Sequence, residues 1–195
     1  MDKNTLKSSF GKWISFINSQ KLMNRVNSTK QDYYTKKLTT ESFLKLMLFA
    51  QLHETESLHA MSDALLSEEL QQELGFTSIS ASQLSRKNND MDPSILATLF
   101  MDLVAQIKGY HHRCTQRVPL KIIDSSTLPL NLTHYKWAKF RKTKAGVKLH
   151  LRLVFMDKDT VYPDKAVMTV ASEHDRNQLE VLVDEKNAMY VFDRG

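Results

Sequence analysis

A chain of 195 residues holds enough material for one large domain or two small ones with a sizeable core. Hydrophobic content of 42% and charged content of 25% are those of an ordinary globular protein, and no apolar run reaches the roughly 18 to 20 residues of a membrane span. The net charge of +5 is mild, but its distribution is not: from Lys108 to Arg152 there are eleven Lys and Arg residues, and Asp124 is the sole acid.

The N-terminal "MDKNTLKSSFGKW" lacks the apolar core and small-residue cleavage site of a signal peptide. The single Cys114 cannot form an internal disulfide. Together these features predict a cytoplasmic protein with no membrane partner.

The first 110 or so residues read as helical. "TTESFLKLMLFAQLHE" opens on Thr40 as a cap candidate and places Phe43, Leu44, Met47 and Leu48 on one face. Ser57 is positioned to cap a helix through Leu58, Met61 and Leu65, and Gly75 follows Leu70 and Leu74 as a stop. In "SISASQLSRKNN", Ser80 and Gln83 have capping-box spacing. The short helix they start presents Arg86 and Lys87 among Ser and Asn, the residue types of a DNA-reading helix; a polar surface helix has the same composition. "DPSILATLFMDLVAQIKG" predicts a long helix with Asp92 as cap, Pro93 in the first turn and Gly109 at the end.

After Val118 the pattern changes to strands. "VPLKIID" is a short apolar run, "VKLHLRLVF" puts Leu149, Leu151, Leu153 and Phe155 on one face, and "VYPDKAVMTV" follows a turn. A helix over "RNQLEVLVDEK" and a final strand "AMYVFDRG" complete the order. Between the first two strands, "HYKWAKFRKTKAGVK" carries Lys136, Lys139, Arg141, Lys142, Lys144 and Lys148 with three aromatics and no acid. Cations neutralise phosphates and rings offer stacking surfaces, so this is a candidate DNA face; a solvated basic loop is the plainer reading.

Short connections make the first three strands an antiparallel meander, and a helical crossover suits a fourth strand parallel to the first. Asp124 closes the first apolar run and Asp193 the last, so the two carboxylates would meet at one edge of the sheet. Facing carboxylates repel unless a cation lies between them, and Mg²⁺ or Mn²⁺ is the natural occupant of an oxygen-ligand site in basic surroundings. Asp after a strand also caps turns, and "DSST" and "DRG" suit that role as well. His111, His112 and Cys114 lack a partner Cys-x-x-Cys, which argues against zinc. Lys148 and His150 alternate with the apolar face of their strand, facing either the candidate site or solvent.

The stretches "IIDSSTLPL", "AGVKLHLRLVF", "SEHDRNQLEVL" and "YVFDRG" resemble the DDE-type transposases of bacterial insertion sequences, specifically the fourth insertion-sequence family. "LMLFAQLHETESLHAMSDAL" and "ISASQLSRKNNDMDPSIL" resemble the N-terminal region of such proteins, so the likeness covers nearly the whole chain. It implies an α+β protein: an all-α DNA-binding region over 1–115, then the N-terminal part of a ribonuclease-H-like α/β catalytic domain over 116–195. It also implies metal-dependent cleavage and transfer of double-stranded DNA at element ends and target, by a chain compatible with a homodimer.

Asp124 matches the first aspartate of the triad and Asp193 the second, both as Mg²⁺ or Mn²⁺ ligands. His174, Asp175 and Arg176 stand where the family has a similar polar cluster. The third carboxylate of the family lies in a later helix, in a Y-x₂-R-x₃-E-x₆-K pattern; Glu173 and Glu180 precede Asp193 and are in the wrong order. The expectation is therefore a C-terminally truncated transposase, inactive alone. Its rival is a non-enzymatic DNA-binding fragment that competes for element ends.

Overall fold

Polar caps and apolar stripes divide the first hundred residues into short helices. The computed structural model describes residues 9–111 and 118–193, and the chain forms two compact units, Met1–Leu103 and Val104–Gly195. The first is helical: α1 (Ser9–Trp13), α2 (Ser19–Ser28), α3 (Thr40–Leu52), α4 (Leu58–Ala64), α5 (Glu68–Leu74) and α6 (Ala81–Asp90), followed by the start of α7 (Pro93–His111). Among the described residues no helix is long and apolar enough to cross a membrane.

Most expected caps are present. Ser57 accepts from the Ala60 amide, Ser80 and Gln83 form the capping box, and the Asp92 carboxylate accepts from the Ser94 amide. Gly75 ends α5 at φ +77°, a left-handed conformation that costs glycine least. Two expectations are corrected. The cap of α3 is Thr39, whose hydroxyl accepts from the Ser42 amide, whereas Thr40 is buried with its amide and hydroxyl bonded to Asp32. Helix α7 passes through Gly109 to His111, because one glycine weakens a helix without ending it. Phe43, Leu46, Leu65, Leu70 and Leu84 fill one core, and Leu22, Val26, Leu44 and Ile95 a second.

The second unit is a mixed sheet with one crossover helix. Its elements are β1 (Leu120–Leu130), β2 (Lys139–Arg141), β3 (Lys144–Asp157), β4 (Thr160–Val170), α8 (Arg176–Leu182) and β5 (Met189–Phe192). The order is β2-β3-β1-β5, with β4 also pairing β3. β1 and β4 run antiparallel to β3, and β5 runs parallel to β1, the meander and crossover expected from connection lengths.

Strand β1 is longer than its apolar run. The polar residues after Ile123 are held by β3 along a continuous register from Asp124↔Leu151 to Leu130↔Ala145. On the other edge β5 stops at Ile123↔Phe192, so Pro129 falls where β5 has no paired residue and its missing N–H costs nothing to that ladder. β2 is an element the hydropathy pattern does not reveal.

The two faces of β3 are buried unequally. Leu149, Leu151, Leu153 and Phe155 do share a face, but they are only half-buried, and Met168, opposite Leu149 on β4, is exposed. The opposite face is the buried one. It carries Lys121 (2% exposed), His150 (1%), Arg152 (3%) and Val154 (3%).

Polar groups tolerate this burial because they are paired. Asp164 sits at a register shift in β4, where its carboxylate receives Lys121 Nζ at 3.0 Å, Arg152 Nε at 2.7 Å and Arg152 Nη2 at 2.9 Å. Arg152 also donates to the Leu182 carbonyl at 2.6 Å and to Asp184, and Lys121 reaches Glu185. The network thus ties the end of α8 to the sheet.

Candidate functional site

Parallel pairing sets Ile123 beside Phe192, and the next residue on each strand is an aspartate. Adjacent strands lie about 4.8 Å apart, so Asp124 and Asp193 follow their strands in the same phase at neighbouring positions. Both line one cavity of about 570 Å³ with Ser125, His150, His174, Asp175 and Arg176, over an apolar floor of Ile123, Leu179, Leu182 and Phe192. Asp124 lies inside a strand, paired with Leu151, so the turn-capping alternative does not describe it. Asp193 stands one residue past β5 and is exposed.

A third carboxylate on the cavity wall is held by three neighbours. Asp175 lies 3.1 Å from Lys148 Nζ and 3.3 Å from His150 Nδ1, and it accepts from the Ser125 hydroxyl. Burial pushes its carboxyl up, but the hydrogen bonds from Lys148 and Ser125 and the charges of Lys148 and His150 hold it below the ordinary carboxylate value.

His150 is pushed the other way. Burial drives its pKa below 6.5 against the opposing pull of Asp175, with Lys148 adding to the depression. A neutral ring beside an acceptor-only carboxylate carries its proton on Nδ1, leaving Nε2 to accept from the Thr169 hydroxyl at 2.9 Å. Helix α8 is thereby attached to the sheet at both ends: by Asp175 at its start, and by the Arg152 network at its finish.

Asp124 and Asp193 are thus two carboxylates at neighbouring strand positions, and a carboxylate oxygen is the donor type that a hard cation takes. Among the described residues no group of three or more His, Cys, Asp and Glu side chains is arranged to hold a metal ion. His112 and Cys114 lie outside the described residues.

The basic segment forms an arm between β1 and β3. Ala138 is fully buried and anchors a single 3₁₀ turn, while Lys136, Lys139, Arg141, Lys142 and Lys144 are exposed around Trp137, itself 65% exposed. The Arg141 guanidinium packs 5.8 Å from the centre of the Phe140 ring. From Asp124 to the arm at Leu130 the strand spans about 20 Å at its usual rise per residue.

Lys148 does not share this face. It is half-buried and donates to the Glu173 carbonyl at 3.2 Å as well as meeting Asp175, so its charge is committed to Asp175. In the helical unit Arg86 is exposed on α6, whereas Lys87 is paired with Asp32 at 2.6 Å and largely buried. Its charge is committed inside the unit, which weakens it as a DNA contact.

Three features escape a reading by pattern: the Lys121–Arg152–Asp164 network, the Asp175–His150 pair and β2. The first had a signal in Lys121 and Arg152, long cations inside otherwise apolar strands.

Residues 5–77 match a protein family described as a domain of unknown function (DUF4372). The matched stretch runs through α5, and α6 and the whole sheet lie beyond it. No curated protein and no solved structure matches the chain.

Proposed function

We propose that this chain acts on double-stranded DNA as an insertion-sequence transposase of the DDE type, its sheet belonging to a ribonuclease-H-like catalytic domain. The observation that carries this reading is the parallel pairing of β1 with β5, which brings Asp124 and Asp193 to one cavity. Bound there, Mg²⁺ or Mn²⁺ would activate an attacking water or hydroxyl and offset charge on a phosphate. Asp124 and Asp193 hold the cation; Asp175, fixed by Lys148, His150 and Ser125, shapes the wall beside them. The exposed cations of the arm grip the phosphodiester backbone about 20 Å along β1, a distance that about six nucleotides of one strand cover.

A second reading, DNA binding without cutting, is favoured by one observation: among the described residues no group of three or more His, Cys, Asp and Glu is placed to hold a metal ion. One experiment addresses both readings. Iron(II), used in place of Mg²⁺ with ascorbate and peroxide, generates radicals that cut nearby DNA. The wild-type chain should cut bound duplex locally, and Asp124→Asn should bind duplex equally well without cutting it. Loss of binding together with cutting would remove the ligand role from Asp124. Undiminished cutting by Asp124→Asn would leave the non-catalytic reading in place.

A further inference from the structure

We infer that the loop between α2 and α3, together with the exposed side of α6, forms a second DNA-binding face in the helical unit, gripping the duplex backbone. This rests on the reading of the chain as a DNA-acting protein, and adds a surface that the basic arm does not include.

The loop is unusual in being both exposed and rigid. Tyr33 is 71% exposed and Tyr34 90% exposed, with their rings packed edge to face at 4.6 Å. Lys30 and Lys36 flank them and are also exposed. Beneath these side chains the backbone is held turn by turn: the Gln31 amide donates to Val26, the Tyr33 amide to Lys30 and the Thr35 amide to Asp32. Lys30 sits at φ 54°, a left-handed conformation that a lysine adopts only when its surroundings enforce it.

Side chains then fasten the loop to α6. Asp32 receives Lys87 Nζ at 2.6 Å, and Gln31 donates to the Asp90 carbonyl at 3.0 Å. Pairing with Lys87 neutralises Asp32, the one acid of the loop, so Lys30 and Lys36 stand without an opposing charge inside it. Arg86 extends the positive surface onto α6, where Asp90 is the acid at its far end.

The edge-to-face packing of the tyrosines suits backbone contact better than base stacking, because each ring already spends a face or an edge on the other. Their hydroxyls donate well to phosphate oxygens, as do the lysines, and such contacts position a protein on duplex without reading sequence. A preformed loop loses little conformational entropy on binding.

The test is the binding of full-length chain to labelled duplex of random sequence, across a salt series and without metal. Lys30→Ala/Lys36→Ala should lower the slope of log affinity against log salt by about 2, close to one phosphate per lysine. Tyr33→Ala/Tyr34→Ala should weaken binding about tenfold with an unchanged unfolding midpoint, since both rings are exposed. Lys139→Ala/Arg141→Ala should weaken binding separately, and its effect should add to that of the loop.

Loop variants that bind duplex like wild type, while the arm variant is impaired, would overturn this face and leave the DNA reading standing. Weakening seen only with anionic vesicles would replace DNA by a membrane surface as the partner of the loop. A wild-type chain that binds no duplex would overturn both the loop proposal and the reading it rests on.

Discussion

At the scale of single residues, function and stability use neighbouring side chains for different ends. Asp124 and Asp193 are both exposed, and His150, which lines the same cavity, is buried and bonded to Thr169. Burial holds its folded pKa below the 6.5 of the unfolded chain. As pH falls, the unfolded state therefore takes up a proton first, and the native state loses ground. Stability should be level above about pH 6.5, decline below it, and level again once pH passes the folded pKa. Asp175 is depressed from 3.8, so its contribution is lost only at much lower pH. Urea unfolding between about pH 8 and pH 5 should show this decline in wild type and little of it in His150→Gln. An equal slope in both proteins would place the titrating group elsewhere. The candidate ligands were legible from sequence because each follows an apolar run. The partners of His150 and Lys148 were not, because Asp175 reaches them from an element far along the chain.

At the scale of elements, the crossover to β5 is held by charge as much as by apolar packing. Removing one partner from a buried ion network strands the others without compensation. Arg152→Leu should therefore destabilise the sheet unit by about 3–5 kcal/mol. Lys165→Met breaks a partly exposed pair with Asp184 and should cost less than about 1 kcal/mol. Chemical denaturation of the two variants separates a network that secures α8 from a decoration of its surface. The base of the arm is tight in another way. A Cβ on Gly146 would stand 2.9 Å from the Leu128 carbonyl and 3.3 Å from the Phe140 ring, so Gly146→Ala should destabilise by about 1–3 kcal/mol as the strands shift.

Element order and strand direction were legible because connection length dictates them. Which face of β3 is buried was not. Alternation put Leu149 to Phe155 on one face and left open what His150 faces; the crossover helix covers the side that carries His150 and Arg152. Hydropathy cannot anticipate that ion pairs will satisfy buried cations. The extension of β1 past Asp124 was hidden for a similar reason: β3 supplies hydrogen bonds to a segment whose own composition reads as a turn.

At the scale of the whole molecule, a helical unit with an exposed basic and aromatic loop accompanies a sheet unit with a basic arm and a cavity lined by Asp124, Asp175 and Asp193. Exposed cations stand on both units, and on the sheet unit Asp124 and Asp193 follow neighbouring strands. We propose that Asp124 and Asp193 together make a divalent-cation site. The most direct measurement is titration of the chain with Mn²⁺, with free ion followed by electron paramagnetic resonance. Wild type should sequester Mn²⁺ and release it to excess Mg²⁺, while Asp124→Asn and Asp193→Asn should each abolish the uptake at an unchanged unfolding midpoint. Undiminished Mn²⁺ uptake by either variant, or none by wild type, would contradict the account.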